Sequence, residues 1–185
     1  MKKLIVLLPF ILLASCQSFN KAISSVKTPE IENEASISNY LKENDLDGYK
    51  GYAIKDLNSW NEVLSSTRVP NLFFFSKDGV FLNPENDKSC LNDVASFIET
   101  IDTINIQDND NDKDLSYFIE HSRTLSGEKF NVSTDKKYYA VFLWAKFGGK
   151  NIIKKMKYWE EVLNDSGISF EIILLNFDEQ EFWHK

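Results

Sequence analysis

Thiols and imidazoles are scarce in this chain of 185 residues, which has two cysteines and two histidines. Two cysteines cannot build the disulfide framework that stabilises small secreted domains, so a hydrophobic core must hold the fold together. His121 and His184 are far apart in sequence, whereas a zinc site needs several ligands at set spacings. No metal is therefore predicted, and no other cofactor either.

Positive charge is also in deficit. The chain has 21 lysines and arginines against 28 aspartates and glutamates, and its formal net charge is −7. Nucleic acids bind to concentrations of positive charge, because their phosphates must be neutralised. An acidic surface is equally unsuited to holding anionic lipid by charge. The composition therefore argues against nucleic acid as a partner.

The sequence has no apolar run of the ~20 residues that span a bilayer. Residues 4–13 form a shorter run behind Lys2 and Lys3, with the length and flanks of a signal-peptide core. The run ends in Leu13-Ala14-Ser15-Cys16, which resembles the lipobox of bacterial lipoproteins. The resemblance implies that residues 1–15 are removed and that acylation of Cys16, for example with palmitate, anchors the chain in a membrane. The alternatives are an ordinary cleaved signal with an incidental cysteine, or a buried apolar helix.

Residues 16–36 are polar and lack an apolar period, which is typical of a flexible tether. Residues 37–185 are predicted to form a single domain behind this anchor. Gln17 follows the anchoring cysteine. In lipoproteins resembling those of enteric bacteria, an aspartate at this position retains the protein at the inner membrane. The glutamine therefore favours the outer membrane, with the domain facing the periplasm.

Strands alternate with helices from Ile37 onward, which indicates an α/β sandwich. Strands are predicted at residues 49–54, 72–75, 80–82, 138–144 and 168–175. The second of these is apolar throughout, as expected for a sheet covered on both faces. Lys77-Asp78-Gly79 predicts the hairpin turn that follows it.

Helices are predicted in four places between these strands. Asp56 could cap one helix with Leu57, Trp60 and Leu64 on its inward face, and Ser89 could cap another. A short helix is predicted to begin after Asp114 and to end at Ser126-Gly127. A long helix is predicted between Gly149 and Gly167, with an apolar stripe formed by Ile152, Met156, Trp159 and Leu163.

Residues 138–178 resemble the first βαβ unit of thioredoxin-like envelope thiol–disulfide oxidoreductases. In that family an apolar strand runs into Trp-Ala-x-aromatic-Cys-x-x-Cys and then a long helix. Here Trp144, Ala145 and Phe147 match, but the two cysteine positions hold Gly148 and Asn151. The exchange reaction needs a thiolate, so the resemblance implies a fold without its redox site. The degenerate motif predicts a contact surface made of Trp144, Phe147, Gly148, Gly149, Lys150, Asn151 and Pro70.

Residues 56–101 resemble the other half of the same fold. In the family a cis-proline opens a strand, hairpin and helix, and Pro70 would be that cis-proline. The halves stand in the opposite order here, so the resemblance implies a permuted or rearranged thioredoxin-like domain. The alternative is an unrelated α/β domain with similar apolar strands.

Cys90 follows Ser89 and falls in the first turn of a predicted helix, where the helix N-terminus favours a thiolate. It is therefore a candidate reactive thiol, working through mixed disulfides or linking a dimer. The alternative is a small buried apolar residue, since free cysteine is often buried.

Two further patterns suggest ion binding. Residues 108–114 have the acidic spacing of a calcium loop, but Lys113 replaces the glycine and Ile119 the bidentate glutamate. A solvated loop whose last aspartates cap the next helix is the alternative. Gly148-Gly149 lies at a helix start, where backbone N–H groups can hold an anion. The surrounding lysines could support an anion or form a solvated face; they are Lys146, Lys150, Lys154, Lys155 and Lys157.

The leading hypothesis for function is a redox-inactive, thioredoxin-like envelope lipoprotein that acts as a binding or accessory module. Its partners would be a membrane, through the lipid anchor, and an unidentified envelope protein. One alternative is a thiol-dependent oxidoreductase or chaperone that works through Cys90. Another is a protective lipoprotein that binds a toxin. No catalytic residue is predicted for the leading hypothesis.

Overall fold

The computed structural model describes residues 27–82, 94–104, 113–132 and 136–185. A mixed sheet of six strands runs through this part of the chain, in the order β3-β2-β5-β6-β1-β4. The strands are β1 Lys50–Ile54, β2 Asn71–Ser76, β3 Phe81–Leu82, β4 Ser122–Thr124, β5 Tyr138–Trp144 and β6 Phe170–Asn176. The α-helices are α1 Glu34–Glu43, α2 Leu57–Ser65, α3 Val94–Thr100, α4 Leu115–Glu120 and α5 Gly149–Asp165. Short 3-10 helices cover Ile101–Thr103, Lys146–Gly148 and Glu181–His184.

Three neighbouring strands of the sheet, β5, β6 and β1, are parallel. β2 is antiparallel to β5, β3 to β2, and β4 to β1. Because β5, β6 and β1 run in one direction, all three end at the same side of the sheet, which we call the carboxyl edge. The predicted α/β class is confirmed.

Both faces of the sheet are covered by helices. On one face, β5 and β6 pack with α1, α3 and α5. On the other face, side chains of the same strands pack with α2 and α4. Every residue of β5 is buried, and the prediction of a sheet covered on both sides is confirmed.

The βαβ unit formed by β5, α5 and β6 follows its sequence pattern closely. The predicted stripe of α5 is buried, because residues three and four apart share one side of a helix. Gly167 follows the helix with φ +70°, a left-handed conformation that glycine adopts at little cost.

The start of α2 confirms its predicted cap but corrects its inward face. The Asp56 carboxylate accepts the Ser59 backbone N–H at 2.7 Å. Leu57, however, is 59% exposed, whereas Val63 is buried. Leu57 lies in the first turn, beyond the part of the helix that packs on the sheet.

The segment after α4 differs from the prediction. The helix ends at Glu120, and Ser122–Thr124 forms β4 beside β1. Ser126-Gly127 does not end the helix but turns the chain back, and the Gly127 N–H donates to the Thr124 carbonyl at 2.9 Å. Three residues are too few to show a strand period, so pairing with β1 decided this structure.

The boundary predicted between tether and domain near Ser36 falls within a helix. Helix α1 already begins at Glu34, capped by Asn33. Residues 27–33, which we call the strap, cross the carboxyl edge: the Lys27 N–H donates to the Phe147 carbonyl, and the Glu32 N–H to the Glu179 carbonyl, both at 2.7 Å. These two bonds attach the strap to the domain.

Candidate functional site at the carboxyl edge

The residues of the degenerate redox motif come together at the carboxyl edge. Trp144 is the last residue of β5, and Lys150 and Asn151 lie in the first turn of α5. The pairing of Asn71 with Leu143 brings Pro70, one residue before β2, next to this end of β5. The Val69–Pro70 peptide bond is cis, as the resemblance implied.

Two members of the predicted contact surface are not on the surface. Trp144 is fully buried, and its ring stacks on Tyr40 of α1 with centroids 5.9 Å apart. Gly149 is buried as well. Phe147, Gly148 and Pro70 are half-buried, and only Lys150 and Asn151 are exposed. Helix α1, which sequence reasoning assigned in part to the tether, covers the tryptophan.

Gly148 stands at the first cysteine position of the resemblance, and its surroundings leave no room for a side chain. A Cβ atom at this position would lie 2.7 Å from Cγ1 of Ile152 and closer still to Cδ1. Backbone conformation is not the obstacle, because Gly148 has φ −71° and ψ −8°. Any larger residue here, cysteine included, therefore requires Ile152 to move.

A buried carboxylate, Asp178, organises the backbone beside this position. Its side chain accepts the backbone N–H of Lys146 at 2.6 Å and that of Phe147 at 3.2 Å. It also accepts the Asn176 amide at 2.7 Å. Two backbone N–H groups directly before the predicted anion site at Gly148-Gly149 are therefore bound by a carboxylate of the chain itself.

A second buried carboxylate, Glu32, comes from the strap. It is 4% exposed and accepts the Lys146 ammonium at 2.8 Å and the Ser36 hydroxyl at 2.6 Å. Gln180 completes the cluster by donating to the Asn176 side chain and to the Asp178 carbonyl. The cluster consists of Glu32, Lys146, Asn176, Asp178 and Gln180, and we call it the edge network.

Burial changes the proton affinity of the edge network. It raises the pKa of the Asp178 carboxyl above its ordinary value, and the Glu32 charge acts in the same direction. The bonds from Lys146, Phe147 and Asn176 oppose this rise. Burial and the Asp178 charge also raise the pKa of Tyr40. Because Asp178 is 1% exposed, its arrangement ties chain segments together and does not present a reacting group to solvent.

Sequence reasoning missed the edge network. One signal was available: Asn176, Asp178 and Gln180 alternate directly after an apolar strand, where the carboxyl ends of parallel strands gather polar groups. Glu32 had no comparable signal, because Lys146, with which it forms an ion pair, lies more than a hundred residues away.

Two of the five lysines in the predicted basic concentration around α5 form ion pairs. Besides Lys146, Lys157 pairs with Asp45 at 3.1 Å, and the Lys155 ammonium lies 5.1 Å from the centroid of the Trp159 ring. Lys150 and Lys154 remain exposed. The lysines thus support packing on several sides and do not converge on one anion.

The remaining candidates do not meet at a common site. His121 contacts Glu62 at 3.3 Å and His184 contacts Glu179 at 2.8 Å. Asp114 takes the N-cap position of α4 without a side-chain cap, and its carboxylate accepts the Phe81 N–H at 3.3 Å. Cys16, Cys90 and residues 108–112 lie outside the described residues. Within the described ranges, no three histidine, cysteine or acidic side chains cluster as metal ligands.

A groove of about 500 Å³ lies between α3 and α5, away from the carboxyl edge. Ile98, Val162 and Ile168 form its apolar part, and Glu99, Glu161 and Asp165 are among its lining residues. A second groove of about 460 Å³ lies where β6 begins and includes Tyr49, Lys50 and Glu171. Both grooves are near the end of α5 that is opposite to the motif.

The chain matches no protein-family model, no curated protein sequence and no solved structure. Among the described helices, none combines the length and apolar character that crossing a bilayer requires.

Proposed function

We propose that this chain is a redox-inactive, thioredoxin-like binding or accessory module, attached by a lipid on Cys16 to the periplasmic face of a bacterial outer membrane. The membrane and an unidentified envelope protein are its partners, and no cofactor is involved. Attachment follows from the lipobox resemblance of Leu13-Ala14-Ser15-Cys16, and the choice of membrane follows from Gln17.

The strand arrangement supports the thioredoxin-like part of the proposal. A parallel β5-α5-β6 unit lies beside an antiparallel β2-β3 hairpin, and α3 packs on the same face as α5. This resembles the family's arrangement of its two halves. The hairpin comes first in this chain, which corresponds to the rearranged order that the sequence suggests.

One observation carries the redox-inactive part of the proposal, the occupation of the thiol position by Ile152. Gly148 and Asn151 have no sulfur, and thiol–disulfide exchange requires a thiolate nucleophile. Ile152 side-chain atoms also fill the space where a side chain on residue 148 would begin. The packing at this position therefore suits glycine, and the family's first cysteine would require Ile152 to move.

Restoring the thiols tests both parts. On a soluble chain with Cys16→Ser and Cys90→Ser, we would compare Gly148→Cys/Asn151→Cys with and without Ile152→Ala. A thioredoxin-like arrangement predicts an intramolecular disulfide in the variant that also carries Ile152→Ala. Its reduction potential, measured in glutathione buffers, should fall between about −270 and −120 mV. Two free thiols under oxidising conditions would contradict the thioredoxin-like arrangement.

Insulin reduction by the parent chain tests inactivity directly. We expect no turnover from the Cys16→Ser protein, whether Cys90 is present or replaced by serine. Turnover that disappears with Cys90→Ser would favour the thiol-dependent alternative instead.

The anchor has its own test. Mass spectrometry of the full chain made in a bacterial host should find acyl groups on Cys16 and none after Cys16→Ser. Gln17→Asp should move the protein from the outer to the inner membrane, which membrane fractionation would detect. An unmodified Cys16 would contradict the lipoprotein assignment.

A further inference from the structure

The strap brings the N-terminal side of the chain to one defined place on the domain. The Lys27 N–H donates to the Phe147 carbonyl at 2.7 Å, and the Glu181 N–H donates to the Glu32 carbonyl at 2.8 Å. The Glu32 side chain is held by Lys146 in addition. Lys27, the first described residue, therefore lies at the carboxyl edge.

The segment between Lys27 and the proposed anchor, Cys16, is short. Lys27 lies eleven positions after Cys16, and a fully extended chain of that length spans at most roughly 40 Å. A random-coil chain of that length spans about 18 Å on average. The seven residues of β6 already place the far edge roughly 20 Å beyond the carboxyl edge. An anchor at Cys16 therefore favours the carboxyl edge as the side nearest to the lipid.

Exposed apolar side chains are found at the same edge. Three large hydrophobic residues in the described part of the chain are markedly exposed. Ile31 belongs to the strap, next to the Glu32 backbone that pairs with residues 179–181. Leu57 follows the end of β1 by three residues. Ile31 is 57% exposed and Leu57 is 59% exposed. The third exposed residue, Tyr158, lies on α5. Exposed aliphatic side chains can enter the headgroup region of a bilayer.

We propose that the carboxyl edge rests on the lipid surface, with Ile31 and Leu57 in contact with the headgroup region. The inference deepens the proposed function and depends on its lipid anchor. It also assigns the grooves beside α5 to the side that faces away from the membrane. The motif residues Phe147 and Lys150 would then face lipid.

Fluorescence quenching in vesicles tests the orientation. The full acylated chain with Cys90→Ser receives one label at Leu57→Cys, at Ile31→Cys or, as the matched control, at Ser169→Cys. All three residues are exposed, and Ser169 precedes β6 at the far edge. The vesicles contain phosphatidylethanolamine and phosphatidylglycerol, with a spin-labelled headgroup lipid as quencher. Since the edges are roughly 20 Å apart, we expect loss of about half of the fluorescence or more at residues 31 and 57 and little loss at 169.

The outcomes separate the orientation from the anchor. Mass spectrometry of each sample reports whether Cys16 is acylated. An acylated protein quenched equally at all three positions, or most strongly at residue 169, would overturn the orientation and leave the anchor standing. A chain without acyl groups would overturn both.

Discussion

Replacing Gly148 with alanine should destabilise the domain, because the new methyl group meets Ile152. The Cβ atom would lie 2.7 Å from Cγ1 of Ile152 and closer still to Cδ1, well inside van der Waals contact. Ile152 is 6% exposed, so its side chain must rotate within a packed core or push its neighbours apart. The backbone itself accepts alanine, since φ is −71° and ψ is −8°.

The expected size follows from two contributions. Overpacking a core by one methyl group costs about 1–3 kcal/mol, and glycine to alanine at an N-cap adds a few tenths. Gly148→Ala should therefore lower the free energy of unfolding by about 2 kcal/mol. Ile152→Ala alone should lower it by about 2–4 kcal/mol through the cavity it leaves. In the double variant the clash is absent, so adding Gly148→Ala to Ile152→Ala should cost about 0.5 kcal/mol or less.

Urea unfolding followed by far-ultraviolet circular dichroism measures all four proteins in one double-mutant cycle. Gly48→Ala is the matched control, because nothing lies within 4 Å of a Cβ atom there. A Gly148→Ala protein as stable as the parent would refute the reasoning. So would a double variant whose loss equals the sum of the two single losses, since it would show that Ile152 does not fill this space.

Three further predictions concern the edge network, a helix cap and the remaining thiol. Asp178→Asn should lower the free energy of unfolding by about 1–3 kcal/mol in urea titrations, because the Lys146 and Phe147 N–H groups bond to different carboxylate oxygens and an amide has only one oxygen. Burial raises the pKa of Asp178 in the folded state above 3.8, so its contribution to stability should decrease as pH rises from 3.8 through the folded pKa. Asp178→Asn should remove that decrease. Parallel curves of unfolding free energy against pH for the two proteins would contradict it. Asp56→Ala should cost about 1 kcal/mol by removing the cap of α2, with exposed Asp47→Ala as a neutral control in the same titrations. Cys90 should react with iodoacetamide no faster than a free thiol of pKa ~8.5, and rapid alkylation well below that pH would revive the thiol-dependent alternative.

Much of the fold could be predicted because its signals are local. The all-apolar β5 and the stripe of α5 follow from residue spacing alone, and both were predicted at or close to their observed bounds. Asp56 caps its helix through a bond to a residue three positions away. Leu57 shows the limit of such reasoning, because periodicity places it inward whereas the packed part of α2 begins further along.

The candidate site was predicted less well, because its key groups depend on contacts between distant segments. The pattern around Trp144 correctly indicated where β5 ends and α5 begins, but it could not show that Tyr40 would cover the indole. The strap resembles a polar linker in sequence, and it becomes ordered through bonds to residues 147, 179 and 181.

The sequence by itself determined the alternation of strands and helices, the covered sheet, the absence of cysteines at the motif and the acidic charge. Each of these depends on composition or on spacing within one element. Only the tertiary structure decided the strand order, the pairing of β4 with β1, and the burial of Glu32 and Asp178. A carboxylate is tolerated in a core only where donors surround it, and here those donors come from α1, the 3-10 helix after β5 and the end of β6. Their meeting is a property of the assembled sheet edge, which local periodicity does not encode.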